Sequence, residues 1–142
     1  MDPVPRVTIG AYVFNSEGEL LLLKSHKWRG QYIVPCGHVE YREKLEDAVR
    51  REVREESGLE VYDLNFMRVF EFIDPPTFTE SESKGAHFVG IQYACRSDKR
   101  DVTLNEEAEK FLWVKPKQSL GLDLEYGTKD TIEFLLSNNQ NL

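Results

Sequence analysis

Cysteine is scarce in this sequence, with Cys36 and Cys95 alone in 142 residues. Two are too few for a disulfide scaffold, and they form no C-x-x-C pair that could anchor zinc. Long apolar runs are missing as well. Leu20 to Leu23 is the longest purely aliphatic stretch, against the roughly 20 residues a membrane-spanning helix requires. The opening residues, Met1-Asp2-Pro3-Val4-Pro5, carry neither a basic segment nor an apolar one. No secretory signal is read there, and the expectation is a cytoplasmic protein without a membrane partner. An excess of positive charge is also absent: 18 Lys and Arg stand against 25 Asp and Glu, a formal net charge of −7. Binding to nucleic acid polymers rests on a basic face, so this balance argues against it. The same balance is an obstacle to any phosphate-bearing ligand unless something brings cations to the site.

What is present suits one domain spanning 1–142. A chain of this length buries roughly 68–70% of its unfolded surface and needs no staple. Val7 to Phe14 (VTIGAYVF) reads as a strand, Asn15 to Gly18 as a turn, and Glu19 to Lys24 (ELLLLK) as a second, hairpin-like strand. A polar loop, His26 to Gly30, precedes the short apolar stretch Tyr32 to Val34. Helix formers dominate from Lys44 to about Glu56, with Ser57-Gly58 as the stop. Val61 to Phe72 carries the residues of a strand pair or one long bent strand, and Asp74 to Gly85 reads as a long loop, either a lid over the site or a mobile surface loop. His87 to Cys95 and Phe111 to Val114 read as further strands, and Asp130 to Leu136 as the core of a closing helix, with a frayed tail over about 137–142. Strands with only two long helices predict an α/β fold, a mixed sheet with helices packed against it.

One helix is unusual. With Leu45 at zero on a wheel of about 100° per residue, Val49 falls at about 40° and Ala48 at about 300°, an apolar stripe facing the body. One turn on, Glu52 falls at about 340° and Glu56 at about 20°, so carboxylates continue that inward stripe, with Glu55 beside them at about 280°. Carboxylates turned inward are costly unless paired or bound to a cation, and three together repel. A divalent metal answers both costs, and oxygen-only ligands suit Mg²⁺ or Mn²⁺. The competing reading is a solvated face on which Arg50, Arg51 and Arg54 pair with these acids.

Spacing decides between them. Gly37, five residues, Glu43, seven residues, Arg51-Glu52-Val53, any residue, Glu55-Glu56, any residue, Gly58-Leu59 matches G-x5-E-x7-R-E-U-x-E-E-x-G-U, with U a bulky aliphatic, without a gap. In this box, 37–59, the chain resembles the Nudix (MutT-like) hydrolase family. The resemblance implies an α/β/α sandwich and hydrolysis of a nucleoside diphosphate linked to another group, with Mg²⁺ or Mn²⁺. It implies Glu52, Glu55 and Glu56 as metal carboxylates, with Arg51 and Glu43 bracing the site. The base is implied to be Glu52 or a glutamate outside the box, with Glu106, Glu107 and Glu109 as candidates. Where the family has Pro-Gly-Gly this chain has Pro35-Cys36-Gly37; the implied metal-binding carbonyl at position 36 survives if φ stays negative.

Beyond the box, Trp28 and Arg29 are candidates to stack on a base or ribose, and His87 to enter the substrate cleft, while Tyr32 reads as packing. Pro75, sixteen residues after Leu59, resembles a feature of ADP-ribose pyrophosphatases. It favours a small nucleoside diphosphate derivative such as ADP-ribose or a nucleotide sugar. The alternatives are a mutator-type (d)NTP pyrophosphohydrolase and, in another class, a nucleotide sensor without hydrolysis. Many relatives dimerise, so a homodimer is also an expectation.

Overall fold

The computed structural model describes residues 3–75 and 85–138. Strand β1 (Arg6–Phe14) shows why the fold is layered. Its side chains alternate between faces with a period of two. Ile9, Ala11 and Val13 pack with Ala48, Val49 and Val53 of helix α1 (Leu45–Ser57). Tyr12 and Phe14 turn the other way and pack with Leu124 and with Ile132 and Leu135 of the C-terminal helix. Strand β2 (Leu20–Ser25) divides similarly, Leu21 and Leu23 to one side and Leu20 and Leu22 to the other. All four leucines are buried, as a strand covered on both faces requires. Helices on both sides of a mixed sheet make the α/β/α sandwich.

Strands β3 (Gln31–Ile33), β4 (Cys36–His38), β5 (Tyr62–Ile73), β6 (His87–Arg96) and β7 (Lys110–Val114) complete a sheet with the order β3-β2-β1-β6-β5. β4 pairs with β1, and β7 with β2. The β1–β6 pair is parallel and the other pairs are antiparallel. The expected hairpin of β1 and β2 is joined at one register position, Phe14 with Leu20. Beyond it the strands part, because β4 pairs with β1 at Thr8–Gly10 and β3 with β2 at Leu23–Ser25. The sheet is therefore split, and the split positions the site.

Several boundaries differ from the sequence reading. β4 was hidden by its shortness and central glycine. The segment from Val61 is one strand, β5, bent by register shifts between Tyr62/Asn65 and Phe66/Arg68. A short helix, α2 (Pro116–Ser119), follows β7. The closing helix, α3 (Tyr126–Ser137), begins four residues before Asp130 because the Glu125 side chain accepts from the backbone N–H groups of Gly127 and Thr128. The proposed lid falls largely on 76–84, outside the described residues, as does 139–142 of the tail. The neck of that loop is pinned, with Asp74 donating its N–H to the Ala86 carbonyl at 2.9 Å. Among the described residues no helix is long and apolar enough to cross a membrane.

The layering predicts a contrast between two isoleucines. Ile132→Ala removes a fully buried side chain and is expected to cost roughly 2–5 kcal/mol in urea unfolding. Ile73→Ala, at a 59% exposed position, is expected within about 0.5 kcal/mol of wild type. Equal losses would contradict the assignment of α3 to the core.

Candidate active site

Helix α1 places its inward carboxylates as its wheel requires. Glu52 and Glu56 are 9% and 8% exposed, in line with buried Ala48, Val49 and Val53. Both line a cavity of about 370 Å³, within the range of roughly 300–1,000 Å³ typical of small-molecule sites. The cavity occupies the split in the sheet: Thr8, Gly10 and Tyr12 of β1 line it, and so do Leu23 and Ser25 of β2. Gly37 of β4 lies against Glu52, and a Cβ there would overlap the carboxylate. The glycine of the box is thus a space requirement.

Arg51 holds the carboxylates in place. Its Nε and Nη2 donate to Glu43 at 2.8 and 2.9 Å, a bidentate pair, and Nη2 also donates to the His38 carbonyl at 3.0 Å. Nη1 donates to Glu52 Oε1 at 2.8 Å and to Glu55 Oε2 at 3.4 Å. Glu43 receives a further bond from the backbone N–H of Glu40. The guanidinium, then this backbone bond, lower the Glu43 pKa to about 2. Glu56 moves in the opposite direction, far above the usual carboxylate range. Burial is the first cause, followed by the hydrogen bond and charge of Glu52 and the charge of Glu107. Its buried Oε2 has no hydrogen-bond partner in the structure.

A buried carboxylate with an orphaned oxygen, set against a second carboxylate, fits a hard divalent cation, since the donors are all oxygen. Glu55 does not complete a triad, because its exposed side chain is drawn to Arg51 one turn back. Among the described residues no three Asp, Glu, His or Cys groups are arranged to hold a metal. Cys36 is absent from the non-glycine residues with positive φ (Arg29, Arg42, Asp63, Asp74), so the condition on its carbonyl is met. Its thiol is pushed well above its ordinary value by burial, then by Glu56, Glu125 and Glu52. That keeps it protonated, which disfavours a reactive thiolate.

Glu107 faces the pair from the loop before β7. Its carbonyl accepts from Ser25 Oγ, and its carboxylate lies 3.8 Å from Lys27 Nζ. Of the three acids in that run, Glu107 lines the cavity and Glu106 and Glu109 do not. Trp28, ending a short 3₁₀ turn (His26–Trp28), also lines it, whereas Arg29 is not part of the wall: its left-handed φ of 57° turns the chain there. His87 also falls off the wall, because strand alternation presents its neighbour Phe88. Tyr32 packs against the α3 side of the core, as expected. Among the cavity residues that escaped sequence reasoning are Lys27, Phe72, Phe88, Gln92 and Glu125. Gln92 carried a readable signal, a single amide inside the apolar strand HFVGIQYAC. Glu125 carried none, being a glutamate where caps are usually Ser, Thr, Asp or Asn.

The Glu43 shift fixes the sign of a pH dependence. A carboxylate with a lowered folded pKa stabilises the fold above its ordinary value of 4.5, and that contribution fades as pH falls through about 2. Glu43→Gln is therefore expected to be less stable than wild type at pH 7, with the gap in urea midpoint narrowing from about pH 5 downward. A gap independent of pH would show that the Arg51 pair does not stabilise the fold.

Comparison with known proteins agrees with this geometry. A model of the NUDIX domain matches residues 4–135. The nucleoside triphosphatase NudI of Escherichia fergusonii is 33% identical over 132 residues, covering 88% of this chain and 93% of that relative. The MutT NUDIX hydrolase of Burkholderia pseudomallei superposes with a TM-score of 0.78 at 27% identity, over 92% of this chain and 98% of that one. The MutT protein of Methanosarcina mazei shares the fold, with a TM-score of 0.78 at 24% identity over 98% of both chains. Nudix hydrolases act on small nucleotide substrates and generally use a divalent metal. This chain belongs to the NUDIX family and is a Nudix hydrolase.

Proposed function

We propose that the protein is a divalent-metal-dependent nucleoside triphosphate pyrophosphohydrolase, releasing a nucleoside monophosphate and pyrophosphate. The observation that carries the reaction class is the buried Glu52–Glu56 pair in a cavity whose walls include Phe72, Phe88 and Ile33. Carboxylates able to hold a cation for phosphates, together with aromatic rings able to pack on a base, suit a nucleotide. The choice of triphosphate is supported by the NudI relative, named a nucleoside triphosphatase, which aligns over most of both chains. A second reading, a nucleoside diphosphate derivative such as ADP-ribose or a nucleotide sugar, keeps one supporting observation: buried Pro75 is part of the cavity wall.

Glu52 and Glu56 would hold Mg²⁺ or Mn²⁺, with the Cys36 carbonyl beside them and Glu55 reaching in once released from Arg51. The metal, when bound, neutralises phosphate charge and acidifies water. Arg51 orients Glu52, and Glu43 keeps Arg51 in register with β4 through the His38 carbonyl. Lys27 adds a mobile cation for the phosphates, and Trp28, with Lys27 Nζ 5.8 Å from its ring centroid, offers a stacking face. Glu52 is engaged by Arg51 and Glu56, so Glu107, which lines the same cavity from the loop before β7, is assigned to accept the proton from the attacking water.

Product analysis with Mg²⁺ tests the reading. Pyrophosphate and monophosphate from a triphosphate are expected. AMP from ADP-ribose, with triphosphates untouched, would select the second reading. Burial favours the protonated form of Glu56 in the metal-free protein, and Gln mimics that form, so the melting temperature of Glu56→Gln in chelator is expected to match that of wild type. Its stabilisation by Mg²⁺ and its turnover should both be lost. Unchanged turnover would sink the metal assignment. Glu107→Gln is expected to lower kcat by roughly 10²–10⁴-fold with little change in KM; an unaffected kcat returns the base role to Glu52.

A further inference from the structure

The cavity has a second polar feature, remote in sequence from the box. Gln92, in the middle of β6, is 5% exposed and lines the wall. Its amide makes no hydrogen bond among the described residues. Its atoms are not among the sealed polar atoms that lack a partner, so the amide faces the open space of the cavity, where a ligand could satisfy it. The surroundings are shaped to hold it. Gly10 is its register partner on β1, and a Cβ at Gly10 would overlap the amide oxygen. A Cβ at Gly90 would stand 2.8 Å from Nε2 and 2.9 Å from Cε2 of Phe72. The two glycines therefore form a slot in which the amide lies beside the Phe72 ring. Both ring and amide belong to the same cavity as Glu52 and Glu56.

We infer that Gln92 is the specificity-determining residue that reads the edge of a nucleobase, with the Phe72 ring packing against the base. A side-chain amide offers one donor and one acceptor side by side. That pair matches a heteroaromatic base presenting an acceptor next to a donor, as adenine does with a ring nitrogen beside its amino group. A bare phosphate dianion presents acceptors only and cannot satisfy both atoms, and a sugar lacks the flat face that packs on an aromatic ring as a base does. The inference rests on the reading that this cavity takes a nucleotide; it does not depend on whether the cleaved bond belongs to a triphosphate or a diphosphate derivative.

Calorimetric titration with AMP, GMP, CMP and UMP, and with ribose 5-phosphate as the base-free probe, tests it apart from turnover. Wild type is expected to bind one monophosphate at least about tenfold tighter than ribose 5-phosphate. Gln92→Leu should lose about tenfold or more for that base, leaving ribose 5-phosphate unchanged. Gln92→Glu, which exchanges the donor for an acceptor, should alter the rank order of bases. Gly10→Ala, which displaces the amide while touching only a flexible side-chain end, should reproduce the loss seen with Gln92→Leu. Unchanged affinities and rank order in folded Gln92→Leu would overturn the inference, as would equal weakening of ribose 5-phosphate, or a wild type that does not separate monophosphates from it. Base-selective binding lost in Gln92→Leu, in a wild type that hydrolyses no nucleotide, would instead overturn the hydrolytic reading alone.

Discussion

The arrangement depends on one guanidinium. Arg51 spans Glu43, Glu52, Glu55 and the His38 carbonyl, so it ties the start of α1 to β4 and to its own later turn. Two acids on the inward face of a helix would repel each other and turn the helix outward. Arg51 offsets that repulsion for Glu52 by direct contact, and it does so in a rigid fork that a lysine could not reproduce. Glu56 receives no such help, and the result is a carboxylate raised far above its ordinary pKa with an oxygen unsatisfied. The strain is local and lies where a cation would relieve it.

The second constraint is the parting of β1 and β2. Two neighbouring strands that paired along their length would close the sheet and leave no interior space. Here each strand takes another partner after the Phe14–Leu20 pair, β4 on one side and β3 on the other. β3 is in turn tied to the entry of α3, with Tyr32 donating its N–H to the Asp123 carbonyl and accepting from the N–H of Glu125. The carboxylates come from the α1 layer and the aromatic, amide-bearing end from the α3 side of β1 and β6. The cavity can join them because the sheet between the layers is open.

The net charge of −7 takes on a different meaning in this setting. A site built to hold divalent cations needs an excess of carboxylate, and that excess is unfavourable until the cation arrives. With a metal held there as proposed, the local sign would reverse at the place assigned to the phosphates.

Much of this was written in the residue order. The spacing from Gly37 to Leu59 specified the helix and its inward carboxylates, because helical periodicity is local and turns fixed spacing into fixed direction, while the bracing pair of Arg51 and Glu43 was implied by the resemblance to the Nudix family. Strands such as β1 and β6 were legible for the same reason. The sequence alone did not show that Glu55 pairs outward with Arg51, that Phe88 and not His87 enters the cavity, or that β1 and β2 separate. Nor could it show that Gly10 and Gly90, far apart in the chain, hold the Gln92 amide beside Phe72. Those features depend on which strand pairs with which, and in what register. Pairing over long sequence separations is settled by packing of the whole sheet, so only the tertiary structure decided them.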